Sequence, residues 1–246
     1  MTEPKVMLVT GGSRGLGASI AELAASRGYD VCISCRHDIA RADEVATKVR
    51  ACGRRALVVQ ADVSKEPDVA RMFKQVDGHL GRLDVLVNNA GVSGRKGRVD
   101  ALDESEIMSM LATNVAGPLL CSREAILRMS TLHGGRGGAI VNLSSAAARI
   151  GGAGRNVHYA TSKGAIDVMT LGLAREVAAE GIRVNAVRPG VIDTDSQPPG
   201  RVAELAPTIP MRRGGLASEV AEAVMWLASD AASYVTGTVV DVTGGR

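Results

Sequence analysis

The chain has 246 residues, 46% of them hydrophobic and 22% charged, which suffices for one large core. A net charge of +3 and an aromatic content of 2% argue against a nucleic-acid surface, which would need stronger positive charge and stacking platforms. No apolar run approaches the roughly 20 residues that span a bilayer, and no signal-peptide pattern precedes the first strand, so a cytoplasmic protein without a membrane segment is expected.

Short β-branched runs alternate with longer stretches of helical spacing. Strands are expected at Val6–Val9, Val31–Ser34, Ala56–Gln60, Val85–Val87, Ala139–Leu143, Arg183–Val187 and Val239–Val242. Helices are expected at Leu16–Arg27, Arg41–Ala51, Pro67–His79, Glu104–Met129, His158–Glu180 and Ser218–Ser229, the last with Ser218 as a plain N-cap. The alternation predicts an α/β fold: one domain over residues 1–246, with a seven-stranded, mostly parallel sheet and helices on both faces. Cys32 and Cys35 fall in one strand at a separation that sends them to opposite faces, which favours structural thiols over a metal or redox pair. Cys52 and Cys121 supply no second pair, and His37, His79, His133 and His158 are scattered, so no metal site is expected. Between Pro189 and Pro210 the chain holds five of its eight prolines and no sustained period, and residues 191–215 are read as a substrate lid.

Two motifs carry chemistry. After the first strand comes Thr10-Gly11-Gly12-Ser13-Arg14-Gly15-Leu16-Gly17, a glycine-rich turn opening onto a helix, where backbone N–H groups can approach a pyrophosphate. Further on, Tyr159-Ala160-Thr161-Ser162-Lys163 puts a phenol and an ammonium one helical turn apart. A cation there is expected to stabilise the phenolate and lower the pKa of Tyr159, making it a proton shuttle.

Together with Asn88-Asn89-Ala90-Gly91, Asn114, Ser144-Ser145 and Pro189-Gly190 in this order, these motifs resemble the short-chain dehydrogenase/reductase family over nearly the whole chain. Gly164-Ala165-Ile166-Asp167 and Tyr234-Val235-Thr236-Gly237 resemble bacterial members labelled sugar dehydrogenases or 3-oxoacyl carrier-protein reductases. The resemblance implies a single Rossmann-fold domain and a dinucleotide-dependent oxidoreductase acting on a small carbonyl or secondary alcohol. It implies Tyr159 as general acid/base, Lys163 to lower its pKa and hold the nicotinamide ribose, and Ser145 to bind the substrate oxygen, with Ser144 as its structural neighbour. It also implies Asn114 as the member whose backbone carbonyl supports a proton relay.

The implied cofactor residues are Gly11, Ser13, Arg14, Gly15, Leu16, Gly17, Arg36, His37, Asp62, Val63, Asn89, Ala90, Gly91, Tyr159, Lys163, Pro189, Gly190, Ile192 and Thr194. Ser34-Cys35-Arg36-His37 ends the second strand without a carboxylate, and Arg36 with Arg14 suits a 2′-phosphate, so NADP(H) is expected over NAD(H). The resemblance further implies a homotetramer or homodimer assembled through the helices of Ala116–Met129 and Tyr159–Glu180. Arg95, Lys96, Arg98, Arg149, Arg155 and Arg201 suggest an anionic substrate, and Arg128 with Arg175 a docking place for an acidic carrier protein. The alternative is a non-catalytic redox sensor or scaffold, which would need the binding glycines but not Ser145, Tyr159 and Lys163.

Overall fold

The computed structural model describes residues 3–195 and 197–246. Its first half runs β1 (Val6–Val9), α1 (Gly15–Ser26), β2 (Asp30–Cys35), α2 (Ile39–Ala51), β3 (Ala56–Gln60), α3 (Glu66–Leu80) and β4 (Val85–Asn88). The second half adds α4 (Glu104–Leu111), α5 (Gly117–Met129), β5 (Gly138–Leu143), α6 (Ala147–Ile150), α7 (Val157–Val177) and β6 (Ile182–Pro189). It ends with β7 (Ile192–Asp193), α8 (Arg201–Leu205), β8 (Gly215–Leu216), α9 (Ala217–Ala228) and β9 (Val239–Val242). The seven-stranded sheet has the order β3-β2-β1-β4-β5-β6-β9 with every pairing parallel. The chain leaves β1 toward β2 and later returns to β4 on its other side, and this reversal opens a crevice at the carboxyl ends of β1 and β4.

Strands β1 to β6 each feed both cores, as a period of two requires. Met7 and Val9 join Ile20, Val45, Val220 and Val224 under α1, α2 and α9. Val6 and Leu8 join Phe73, Cys121, Met129 and Val177 under α3, α5 and α7. Cys32 and Cys35 fall in opposite cores, as their spacing predicts, and the cysteines are free thiols. The buried side chains between sheet and helices include a polar ladder: Asn88 donates to Asn142 at 2.9 Å and Asn142 to Thr170 at 2.9 Å, tying β4 and β5 to α7.

Three expectations need correction. The single helix over Glu104–Met129 is split by a π turn at Ala112–Ala116, which places Asn114 where the helical ladder widens. Ser218 is not the N-cap of α9. Leu216 is, and its N–H donates to the Glu219 carboxylate at 2.7 Å, because Glu219 reaches back over the first turn. The segment read as an aperiodic insertion contains β7 and β8, a two-stranded parallel sheet, with α8 between them.

Candidate active site

The glycine turn is built by neighbours as much as by its own residues. The Thr10 hydroxyl donates to the Val87 carbonyl at 3.2 Å and accepts from the Asn89 and Ala90 N–H groups, each at 3.0 Å. Asn89 returns its side-chain amide to the Thr10 and Gly11 carbonyls at 2.8 and 2.9 Å, so it braces the turn from beneath. The packing leaves no room for side chains: a Cβ on Gly17 would lie 2.4 Å from the Gly11 carbonyl oxygen. Gly11 and Gly15 have φ of +64° and +54°. The helix α1 then starts after Arg14, whose extended backbone caps it without a side-chain hydrogen bond. Its first N–H groups and its dipole suit an anion such as a pyrophosphate, so the residues fit a dinucleotide. Ser13 and Leu16 are partly buried in this turn.

At the end of β2, Arg36 and His37 are exposed. Arg36 pairs with Asp62 at 3.0 Å. The second Asp62 oxygen accepts from the Ser64 N–H and hydroxyl at 3.0 and 2.7 Å. Burial opposes the charge on Asp62, but Ser64 and Arg36 prevail and hold its carboxyl below the usual range. Val63 is buried against Gly117. Asp38, the nearest carboxylate in sequence to Arg36, accepts from the Arg41 N–H at 3.2 Å as the N-cap of α2 and is thereby engaged. Arg41 reaches Asp195 at 3.0 Å, a cation near the turn that the sequence reading overlooked although it stands in the first turn of α2, five residues after Arg36. Across the crevice, Gly190 donates to Val242 at 2.9 Å and the Pro189 carbonyl accepts from Ala146 at 2.9 Å. Ile192 is buried in β7, and Thr194 stands beside Gly15, with a Cβ on that glycine 3.8 Å from Thr194.

The four residues expected to perform chemistry meet at the start of α7. Ser145 is partly exposed, with its oxygen accepting from the Ala147 N–H at 3.2 Å, and its hydroxyl faces Tyr159. Ser144 is buried and donates to the Lys163 carbonyl at 3.1 Å, a structural role. Lys163 is 6% exposed and donates to the Leu143 carbonyl at 2.6 Å. Its Nζ stands 5.9 Å from the Tyr159 ring centre, and a Cβ on Gly91 would lie 3.7 Å from it. Asn114 is buried in the π turn, its amide donating to Val92 and Ser162 and its oxygen accepting from Val92. Ser162 donates to the Tyr159 carbonyl at 2.8 Å, linking Asn114 to the tyrosine's own turn, a connection hidden inside the Tyr-x-x-x-Lys motif.

The electrostatics differ from expectation. Burial pushes the Tyr159 phenol above its ordinary pKa, opposed by the hydrogen bond to Ser145. Burial also pulls Lys163 down to about 8, with Asp167 opposing. The predicted lowering of Tyr159 by Lys163 is therefore not found in this arrangement: burial raises the phenol, and the group that opposes it is Ser145. His158 lies on another face, buried against Gly94 and Met110, with neither ring nitrogen hydrogen-bonded among the described residues.

The loop cations are largely neutralised. Arg95 pairs with Glu106 at 2.6 Å, Arg98 with Asp100 at 3.1 Å, Arg149 with Asp241 at 2.7 Å and Arg201 with Glu204 at 2.7 Å. Lys96 and Arg155 keep no carboxylate partner among the described residues, so most of the charge that motivated an anionic substrate is already spent internally. Arg128 is likewise held by Asp77 at 2.8 Å and by Glu124 at 2.9 Å, and stacks over Phe73, which removes half of the expected carrier-docking pair. A cavity of about 500 Å³ opens beyond α6, lined by Arg149, Val191, Met211, Asp241 and Gly245, and neither Ser145 nor Tyr159 borders it.

Known proteins share this arrangement along its length. Residues 11–246 match the family model described as Enoyl-(Acyl carrier protein) reductase. The uncharacterized oxidoreductase YgfF of Escherichia coli K12 is 50% identical over 98% of this chain and 99% of its own length. A 3-oxoacyl-[acyl-carrier-protein] reductase FabG of Staphylococcus aureus is 38% identical over 100% of this chain and 99% of its own. The crystal structure of a short chain dehydrogenase from Burkholderia cenocepacia in complex with NADP superposes with a TM-score of 0.92 at 36% identity, covering 98% of this chain and 97% of that one. Together with the parallel sheet, the braced glycine turn and the Ser-Tyr-Lys cluster, these likenesses make the chain an oxidoreductase of the short-chain dehydrogenase/reductase family.

Proposed function

We propose that the protein is an NADP(H)-dependent oxidoreductase that interconverts a carbonyl compound and a secondary alcohol, with Tyr159 as its general acid/base. What supports this reading above all is the meeting of Ser145, Tyr159 and Lys163 beside Gly91 and the glycine turn. The turn at Gly11, Ser13, Gly15, Leu16 and Gly17 would hold the pyrophosphate, with Asn89, Ala90 and Gly91 flooring the site. Pro189, Gly190, Ile192 and Thr194 would border the nicotinamide, and Asp62 and Val63 the adenine. Arg14 and Arg36, with His37, would face the 2′-phosphate. The relative solved with NADP and the engagement of Asp38 as a helix cap both favour this over NAD(H).

When bound, NADP(H) supplies or takes up a hydride. In the reductive direction the Tyr159 hydroxyl would pass its proton to the substrate oxygen as the carbonyl π bond opens, leaving Tyr159 a phenolate. The ammonium of Lys163 steadies the phenolate left behind, and the Ser145 hydroxyl donates to the substrate oxygen. Asn114 would open a route by which the lysine recovers a proton. We assign residues 191–215 as the lid over the substrate, Arg41 and Asp195 joining it to α2.

The protein is further proposed to be cytoplasmic and to assemble as a homotetramer or homodimer through α5 and α7. These helices present Leu119, Leu127, Val168 and Leu171 outward, the first three between 46% and 73% exposed. The test is oxidation of NADPH and NADH over ketones, aldehydes, 3-oxoacyl thioesters and quinones, with the reverse reaction on secondary alcohols and sugars. Turnover favouring NADPH and lost in Tyr159→Phe is expected. NADPH binding with no turnover on any class would count against an enzyme.

A further inference from the structure

The face of α7 that carries Tyr159 and Lys163 continues one turn further to Asp167. Asp167 accepts from Arg188 of β6 at 2.8 Å through one oxygen, while its other oxygen, Oδ1, is buried with no hydrogen-bond partner among the described residues. Arg188 also donates to Asp241 of β9 at 2.8 Å, leaving its own Nε buried and unpartnered. Asp241 accepts from Arg149 of α6 at 2.7 Å. Alternating charges thus run from the catalytic helix to the surface, and the side chains at the inner end, Asp167 and Arg188, are only 19% and 13% exposed. A partly buried carboxylate with one buried, unsatisfied oxygen is costly, and an apolar replacement would often be as stable. A charge kept at this cost next to an ionisable pair is the arrangement by which proteins tune proton-transfer groups.

We propose that Asp167, held in place by Arg188, is a positioning residue of the active site, its largely buried carboxylate supplying the negative charge that keeps Lys163 an ammonium. This rests on the acid/base reading of Tyr159 and Lys163. Burial disfavours the ammonium of Lys163 and Asp167 is the group that opposes it. Among the described residues, the other charged groups linked to this end of α7 are Arg188 from β6, Asp241 from β9 and Arg149 from α6, while α4, which also packs on α7, carries Glu104 and the Arg95-paired Glu106. The packed π turn and β5 present uncharged groups there, Thr113, Asn114 and Asn142. Arg188 cancels part of the field of Asp167, so the two residues act on Lys163 and Tyr159 with opposite signs.

That opposition makes the test specific. Removing the anion in Asp167→Asn lowers the proton affinity of Lys163 and Tyr159 alike, whichever of the coupled pair titrates first. Removing the cation in Arg188→Gln raises both. Near-ultraviolet titration of the tyrosines, with Tyr159→Phe subtracted to leave Tyr159 alone, reads this without any substrate. The alkaline limb of kcat/KM reads it during turnover. The expected result is a displacement of roughly one pH unit downward in Asp167→Asn and upward in Arg188→Gln, with Asp167→Glu close to the parent. Equal or same-direction displacements in variants that keep the parent circular dichroism would overturn the proposal. If the Asp167 variant does not fold, the upward displacement in Arg188→Gln still decides. Absence of turnover on every substrate would sink the acid/base reading instead, while the titration would still report on Asp167.

Discussion

Asn114 grips Val92 by both of its main-chain groups: the Val92 N–H donates to the Asn114 Oδ1 and the Asn114 amide donates to the Val92 carbonyl, each at 2.8 Å. The side chain thereby imitates a strand partner and fixes the loop that leaves β4 against the helix end carrying Tyr159. A buried asparagine inside a helical stretch is otherwise unfavourable, and this double bond is its reason. Asn114→Ala leaves two main-chain groups of Val92 without their partner and removes one of the two hydrogen bonds of the Ser162 hydroxyl, at a cost of about 2–4 kcal/mol. The urea midpoint should fall accordingly. Turnover should fall more steeply than NADPH affinity, because the displaced loop borders the chemistry and not the pyrophosphate.

The sheet and the two motif ends were legible because their signals are local: short β-branched apolar runs, a glycine turn between a strand and a helix, a phenol and an amine one turn apart. The π turn at Ala112–Ala116 was not, since apolar spacing continues through it and the interruption belongs with the distant contact between Asn114 and Val92. The neutralisation of Arg95, Arg128 and Arg149 was equally hidden, because Glu106, Asp77 and Asp241 lie 11, 51 and 92 positions away. The rise in the Tyr159 pKa follows from burial, which the spacing of Tyr159 and Lys163 does not report.

The glycine turn tolerates nothing larger at position 17. A Cβ there would sit 2.4 Å from the Gly11 oxygen and 2.6 Å from the Asn89 amide nitrogen, so Gly17→Ala must displace both the turn and its brace. The expected outcome is a loss of NADPH affinity of at least about tenfold, roughly the worth of one lost charge-assisted hydrogen bond. Fluorescence quenching by NADPH measures it. Affinity equal to the parent would show that the turn does not carry the pyrophosphate.

Cofactor choice should reside in Arg36. Its partner Asp62 is itself anchored by Ser64, so the guanidinium is held at the end of β2 and its removal leaves the surrounding turn in place. Arg36→Ala should weaken NADPH by about 10- to 100-fold through loss of a charged contact to phosphate, and leave NADH nearly unchanged. Parallel kcat/KM values for the two cofactors check this. An equal loss for both would mean that Arg36 acts through Asp62 on the adenine side.

Lys163 is expected to cost stability where it supplies chemistry. Its folded pKa of about 8 lies below the ordinary 10.5, so between those values the unfolded chain binds more protons and stability rises with pH. Below about 8 both states are protonated and the whole penalty is present, corresponding to roughly 3 kcal/mol. Lys163→Met removes that penalty but leaves the Leu143 carbonyl without its donor, which returns about 1–2 kcal/mol. The variant should therefore be at least as stable as the parent at neutral pH while turnover is lost, and its advantage should shrink as pH rises from about 8 toward 10.5. Urea unfolding of both proteins at neutral pH and at about pH 10 gives the comparison. A variant less stable than the parent at neutral pH would show that the Lys163 ammonium is stabilised in the fold by more than its burial costs.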